Sequence, residues 1–348
     1  MCTLCTKRAL DVNNFFAQAG LDRDIGPLTR LILSSHMATH TPNFFIVGAA
    51  KAGTTSFARY LAEHPQVYMS PIKEPSYFAR DIIPSLRPPN WKRNQKGLDR
   101  YLNGPMSSRR GGCVLDWESY LKLFRNVATE SAIGEASTAY LISPKAPSDI
   151  RSTIPEARII ILLRSPIDRV FSTYLMFCRK GRLRASFSEV IRSTANTGLS
   201  EWRGKLLQTR KIADGVERFL NAFPEGQIRW YFHEELSADP LVLMQKTYAF
   251  LGVDSKFQPD FSRRYNVELV PKSPVFQHAA YSTGLWDFAS RITPRKVRPT
   301  LRRLLFQTRA NPSLCAEDRA ILVDYFKEDV DHLSRLVDRD LSHWMKLD

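Results

Sequence analysis

The chain has 348 residues, 43% hydrophobic and 24% charged, a composition that allows a sizeable globular core and excludes a disordered or fibrous chain. Fifty basic residues against 35 acidic ones give a net charge of +15, a field that draws anions (a polyphosphorylated cofactor, an acidic saccharide, a membrane surface, nucleic acid) without choosing among them. No apolar run approaches the ~20 residues of a membrane-spanning helix, the N-terminus lacks the apolar core of a secretion signal, and five scattered cysteines, Cys2, Cys5, Cys113, Cys178 and Cys315, suit a reducing cytoplasm.

Residues 1–42 read as a leader with weak helical patterns over 11–18 and 27–37. Its Cys2-x-x-Cys5 pair has no second pair or histidine partner, so it reads as part of an arm and not as a metal site. Phe44 to Val47 is a short, wholly apolar run, the signature of a buried parallel strand. A loop bounded by Gly48 and Gly53 follows. Thr54, Thr55 and Ser56 then lead into a helical pattern with Phe57, Tyr60 and Leu61 on one face, stopped by Pro65. Strand, tight loop and helix N-terminus together form an anion site.

The spacing of Gly48 and Gly53 is that of a Walker A loop, but Thr54 stands where its lysine should be, and the lysine is Lys51, inside the loop. A tight strand-to-helix turn with an exposed Lys51 would also satisfy the pattern. Residues 66–78 read as a short strand running into an irregular turn between Pro71 and Pro75, with Glu74 inside it; such turns beside a parallel sheet commonly carry catalytic groups. Residues 80–111 hold eight basic residues against Asp81 and Asp99, as an acceptor-side excursion or an ordinary solvated loop would.

Further along, the patterns predict a helix over 117–127, a strand over 132–135, a helix over 144–153 and the strongest strand of the chain over 158–163. That strand ends in Arg164-Ser165-Pro166 and a helix over 167–179. A helix over 211–223, a strand over 227–232 and a helix over 240–251, stopped by Gly252, complete the alternation. Strands alternating with helices predict a three-layer α/β/α sandwich on a central parallel sheet, with a P-loop-like phosphate-binding strand, loop and helix. The domain is expected over 43–310, with a helical extension over 311–348 packed on it. From 262 to 310 there are ten basic residues and only Glu268 and Asp287 acidic; Leu301, Leu304 and Leu305 interleave with Arg302 and Arg303, as in a basic amphipathic helix able to touch a membrane surface.

A kinase needs its lysine at the Walker position and a magnesium-binding hydroxyl beside it; Thr55 could meet the second requirement but nothing meets the first. A lysine in mid-loop suits a 5′-phosphate that carries a transferable anionic group. Arg164, at a strand end, and Ser172, two helical turns on, pair a guanidinium fork with a hydroxyl, a combination suited to a phosphate monoester; a surface salt bridge would also account for Arg164. Glu74 is a candidate general base, although a plain salt-bridged carboxylate beside Lys73 fits the same residues. Spacings of His, Cys and Asp suggest no metal site.

Lys51-Ala52-Gly53-Thr54-Thr55 with His64-Pro65, Lys73-Glu74-Pro75-x-x-Phe78, Arg164-Ser165-Pro166 with Arg169 and Ser172, Glu234-Glu235-Leu236, and Phe250-Leu251-Gly252-Val253 occur in the order of the sulfotransferase family, and the chain resembles that family over about 44–253. It is more similar to the carbohydrate and heparan-type branch and its bacterial relatives than to the phenol and steroid enzymes. The resemblance implies 3′-phosphoadenosine 5′-phosphosulfate as donor and direct in-line transfer of its sulfuryl group to a hydroxyl, or less readily an amine, of a carbohydrate, lipid or small molecule. It implies that Lys51, Ala52, Gly53, Thr54, Thr55 and Ser56 form the 5′-phosphosulfate loop, with Lys51 at the leaving oxygen, that Arg164 and Ser172 hold the 3′-phosphate, that Glu74 is the base, and that Lys272 touches the donor. The chain departs from the heparan-type pattern at Ala136, where a lysine often stands, and in lacking a glycine run or paired cysteines near Lys272. Two rival readings stay open: an ATP–magnesium P-loop kinase, and a non-catalytic basic protein binding nucleic acid or anionic lipid, for which no recognition motif is found.

Overall fold

The computed structural model describes residues 40–86, 97–110, 112–193, 198–207, 211–262, 270–271, 306–307 and 314–347. Residues 1–39 of the leader, with Cys2 and Cys5, Lys272, and nearly all of the basic 262–310 segment lie outside the described residues.

Phe44, Phe45, Ile46 and Val47 are each fully buried, so strand β1 (Phe44–Gly48) has helices over both of its faces. It is the middle of a five-stranded parallel sheet. The chain leaves β1 through helix α1 (Thr54–Leu61) to the edge strand β2 (Val67–Met69). A two-residue strand β3 (Ile72–Lys73) then pairs in parallel with β4 (Arg109–Arg110) outside the main sheet. Between them lie α2 (Ile83–Leu86) and α3 (Leu98–Asn103), so the described parts of the 80–111 excursion carry structure of their own.

After α4 (Trp117–Leu121), strand β5 (Ala132–Ala136) inserts between β2 and β1. Helix α5 (Ala146–Thr153) carries the chain across β1 to β6 (Arg158–Leu163), and α6 (Pro166–Arg179), α7 (Phe187–Ile191), α8 (Gly198–Leu207) and α9 (Ala213–Ala222) lead to the far edge strand β7 (Ile228–Phe232). The sheet order is therefore β2-β5-β1-β6-β7. Within 181–210, where no motif is found, lie α7 and α8. Helices α10 (His233–Ala238) and α11 (Pro240–Leu251) follow β7.

Helices α1 and α11 cover one face of the sheet, tied where Tyr248 donates its hydroxyl to the Tyr60 carbonyl at 3.4 Å. Helices α5, α6 and α9 cover the other, with α12 (Ala316–Leu336) packed on α6, α7 and α9. Two buried aspartates bind α12 there. Asp318 accepts from Ser188 Oγ at 2.5 Å and Arg192 Nε at 2.8 Å. Asp329 accepts the backbone N–H of Ile212 and Ala213 at 3.1 Å, which satisfies the first amides of α9.

One glycine sets the β1–β5 spacing. Gly134 pairs with Phe44, and a Cβ built on it would lie 2.2 Å from the Phe44 ring. Gly134→Ala is therefore expected to destabilise the protein by roughly 2–3 kcal/mol through overpacking, read as a lower urea midpoint; a midpoint within error of the parent would refute the packing account.

One helical expectation changes. The run over 117–127 is helical only through Leu121 and tightens to a 3₁₀ turn over Lys122–Phe124. The first helix starts at Thr54, with left-handed Gly53 at its N-cap.

Candidate active site

From β1 the chain steps first toward β2 and β5, then returns across to β6 and β7, so the crevice beyond the C-terminal ends of β5, β1 and β6 is the topological switch point of the sheet. The predicted phosphate loop lies there. The Ala49 amide donates to the Leu162 carbonyl at 2.7 Å, which ties the loop to β6. Arg169, 1% exposed on α6, donates Nε to the Ala50 carbonyl at 3.0 Å, and Arg164 donates Nη1 to the Lys51 carbonyl at 3.2 Å. Because carbonyl and amide of one trans peptide point in opposite directions, holding the Ala50 carbonyl against α6 turns the Lys51 N–H away from it.

Lys51 (φ 70°) and Gly53 (φ 89°) are both left-handed. A Cβ on Gly53 would meet Leu236 Cδ2 at 3.0 Å and His233 Cδ2 at 3.3 Å, so the loop passes close under α10 and needs glycine there. The Gly53 carbonyl takes the Ser56 and Phe57 amides at 3.0 and 3.1 Å. The amides of Thr54 and Thr55, in the first turn, have no intrahelical acceptor by geometry, and the positive end of α1 faces the same side. Ala52 and Thr54 are buried; Lys51, Thr55 and Ser56 are partly exposed.

Arg164 caps β6 at 19% side-chain exposure. Its buried Nε–H has no hydrogen-bond acceptor, and Asp168 Oδ2, 3.5 Å away, supplies charge without a bond. A buried guanidinium donor left open at the switch point is the polar vacancy that an anionic ligand would fill. Ser172 lies on the buried face of α6 at 4% exposure.

Glu74 reaches the same edge from the other flank. Its amide donates to the Ala136 carbonyl at 2.9 Å, extending the end of β5. Its carboxylate accepts the Thr138 amide at 2.7 Å and the Thr138 hydroxyl at 3.2 Å, and pairs with Lys73 Nζ at 2.7 Å. The salt-bridged reading of Glu74 and the general-base reading are thus compatible: the carboxylate is fixed on one side, and at 29% side-chain exposure stays reachable. Glu74 (φ 68°) and Ser76 (φ 56°) are left-handed, as Lys51 is. Among the described residues, three of the four non-glycine residues with positive φ belong to these two segments, so the local strain is concentrated at the site.

Several contributors gave little sequence signal. Arg169 belongs to the quoted motif, yet its part in holding the loop depends on a bond spanning 119 positions. Thr138 and Ser137 follow β5 in a stretch with no pattern of its own. Glu135 gave the one usable signal, a carboxylate in an otherwise apolar five-residue buried strand. His64, in the motif's His-Pro pair, does structural work: buried between Tyr248 and Phe257, it accepts the Gln66 amide at Nδ1 and donates Nε2 to the Asp254 carbonyl. Asp214, Glu217 and His332 form a surface cluster able to approach a metal, in which each imidazole nitrogen faces a different carboxylate at 3.7 Å.

Residues 42–259, more than half of the chain, match the sulfotransferase family. The chain belongs to the sulfotransferase family. Among curated relatives it is 26% identical over 306 residues to a human bifunctional heparan sulfate N-deacetylase/N-sulfotransferase 2, covering 86% of this chain and 30% of that protein. It is 24% identical over 227 residues to mouse heparan sulfate glucosamine 3-O-sulfotransferase 3A1, covering 65% of this chain and 50% of that protein. The chain thus spans about a third to a half of the length of these relatives. A crystal structure of a sulfotransferase from Alicyclobacillus acidocaldarius superposes with a TM-score of 0.62 at 29% identity, covering 88% of this chain and all of that one. The three-layer sandwich with a P-loop-like phosphate loop is therefore this family member's fold.

Proposed function

We propose that this sulfotransferase moves a sulfuryl group from 3′-phosphoadenosine 5′-phosphosulfate to a hydroxyl of a saccharide acceptor. The observation that carries the reading is the open Nε–H of Arg164 beside the Lys51 loop, which offers two anion sites at one sheet edge. A saccharide is preferred because the relatives above are named for heparan sulfate; the net charge of +15 suits an acidic one.

The donor, when bound, supplies sulfur activated by a phosphate leaving group. The chain's own residues account for the rest. Lys51 Nζ and the loop amides hold the anionic oxygens of the 5′ end and neutralise the charge that grows there, an electrostatic role that needs no metal. Arg164 takes the 3′-phosphate as a charge-assisted fork, with Ser172 about two turns into the helix that follows, α6. Glu74 accepts the proton that the acceptor hydroxyl gives up. Lys272 as a further donor contact is kept from the motif order alone. No helix among the described residues is long and apolar enough to cross a membrane; a cytoplasmic location is part of the proposal, supported by the small number and scatter of the cysteines.

Calorimetry with 3′,5′-diphosphoadenosine beside ATP, with and without magnesium, tests the donor. The diphosphate is expected to bind at least about tenfold more tightly and without magnesium; a magnesium-dependent preference for ATP would favour a kinase instead. Arg164→Ala is expected to weaken the 3′,5′-diphosphate by about 10- to 100-fold, the loss of a charged hydrogen bond, and adenosine 5′-phosphate by far less. Equal losses for the two ligands would remove the 3′-phosphate assignment.

A further inference from the structure

Glu135 is the last carboxylate of β5, fully buried, and the chemistry above makes no use of it. Three hydroxyls surround it. Tyr140 donates to Oε1 at 2.5 Å, Tyr120 to Oε1 at 3.1 Å and Ser137 to Oε2 at 2.7 Å. Two of them have a second task. Ser137 Oγ accepts the Ser76 amide at 2.9 Å, and the Tyr140 hydroxyl accepts the Phe78 amide at 3.4 Å. A carboxylate carries no proton, so each hydroxyl must point its own hydrogen at Glu135, which leaves the lone pairs of Ser137 and Tyr140 free for the two amides. A protonated Glu135 presents a donor where an acceptor stood, so one of the three hydroxyls must accept from it and turn its own hydrogen away; where that hydroxyl is Ser137 or Tyr140, the oxygen that holds the amide is re-aimed. Both amides lie just beyond Glu74, in the segment where Glu74 and Ser76 are left-handed.

We propose that Glu135 is a positioning residue: its carboxylate aims the Ser137 and Tyr140 hydroxyls so that they hold the Ser76 and Phe78 amides, and thereby fixes the turn that presents Glu74. The catalytic meaning of the proposal rests on Glu74 being the proton acceptor; the positioning itself does not.

Burial is the main cause that pushes the Glu135 carboxyl up to about 7; the Tyr140, Ser137 and Tyr120 hydroxyls pull it down, and nearby Glu74 raises it further. The folded-state value lies above the unfolded one, so this group's contribution to stability falls as pH rises from the ordinary carboxylate range to 7. Above 7 the fold keeps a buried charge, and the three hydroxyls are its hydrogen-bond partners. The groups facing Glu135 are Tyr120 from α4, Ser137 and Tyr140 from the segment after β5, and Glu74 from the turn.

Amide hydrogen exchange over 74–79, with strand 159–163 as internal reference, tests the proposal without needing the acceptor. In the parent, exchange at Ser76 and Phe78, corrected for its intrinsic pH dependence, is expected to slow as pH rises through 7. Glu135→Gln, which places a donor amide where an acceptor stood, is expected to speed it at pH 8 by about tenfold, with affinity for 3′,5′-diphosphoadenosine within about twofold. Ser137→Ala is expected to match this at Ser76, and the double variant to be no worse than either single one. Unchanged exchange in Glu135→Gln, additive effects in the double variant, or exchange rising equally in strand 159–163 would each overturn the proposal. Sulfate transfer to heparan sulfate, used as a probe acceptor, separates the two layers: faster exchange with slower transfer supports both, whereas faster exchange with unchanged transfer keeps the positioning and removes Glu74 as base.

Discussion

Lys51→Ala is expected to lower sulfate transfer by about 10²–10³-fold or more, the range seen when one preorganised stabiliser of developing charge is removed. The fold should be little affected. Lys51 is already left-handed (φ 70°), and alanine takes that conformation at much the same cost as lysine, so the backbone strain is unchanged. The loop's other supports use the main chain: Arg164 on the Lys51 carbonyl, Arg169 on the Ala50 carbonyl and Leu162 on the Ala49 amide. A thermal midpoint within a few degrees of the parent, measured beside radiolabelled-sulfate transfer, would separate loss of chemistry from loss of structure. Near-parental transfer would show that the lysine is not at the leaving oxygen, and Thr55 and the loop amides would have to carry that charge.

Glu74→Gln is the second large effect, with an expected fall in turnover of about 10²–10⁴-fold, the usual share of a general base. The amide side chain is nearly isosteric and keeps one oxygen for the Thr138 N–H, now at 2.7 Å, so the turn should hold. What it loses is the capacity to take a proton. Donor affinity is expected to stay within about twofold, since nothing in the donor-side assignment passes through Glu74. Lys73, 2.7 Å from Glu74, would lose its charge partner. Comparison with Lys73→Met therefore tells proton transfer from ion pairing: if both variants fall equally, the pair matters as a unit and the base assignment gains nothing from Glu74→Gln.

The sheet was readable because buried parallel strands write themselves as short continuous apolar runs, and Phe44 to Val47 and Arg158 to Leu163 are such runs. The phosphate loop was readable because its geometry is local: glycines, hydroxyls and a helix start within nine residues, Gly48 to Ser56. The support of the site was not. Thr138 reaches Glu74 across 64 positions and Arg169 reaches Ala50 across 119. Such pairs exist only once the strand order is known, and alternation of strands with helices says that a sheet forms without saying that β5 inserts beside β1. The 117–127 helix failed for a related reason. Leu123 and Phe124 are both fully buried, and a 3₁₀ turn delivers that pair to the core at the point where an α-helical run was expected.

Asp329 connects α12 to the loop of the candidate site in two steps. It sits in the last tenth of the chain, satisfies the first amides of α9, and lies within the electrostatic reach of Arg169, which in turn grips the Ala50 carbonyl. The loop near residue 50 is thus braced at second hand by a helix some 280 residues further along the chain, so the stretch that carries the family's motifs is not the whole of the structure that holds the loop in place.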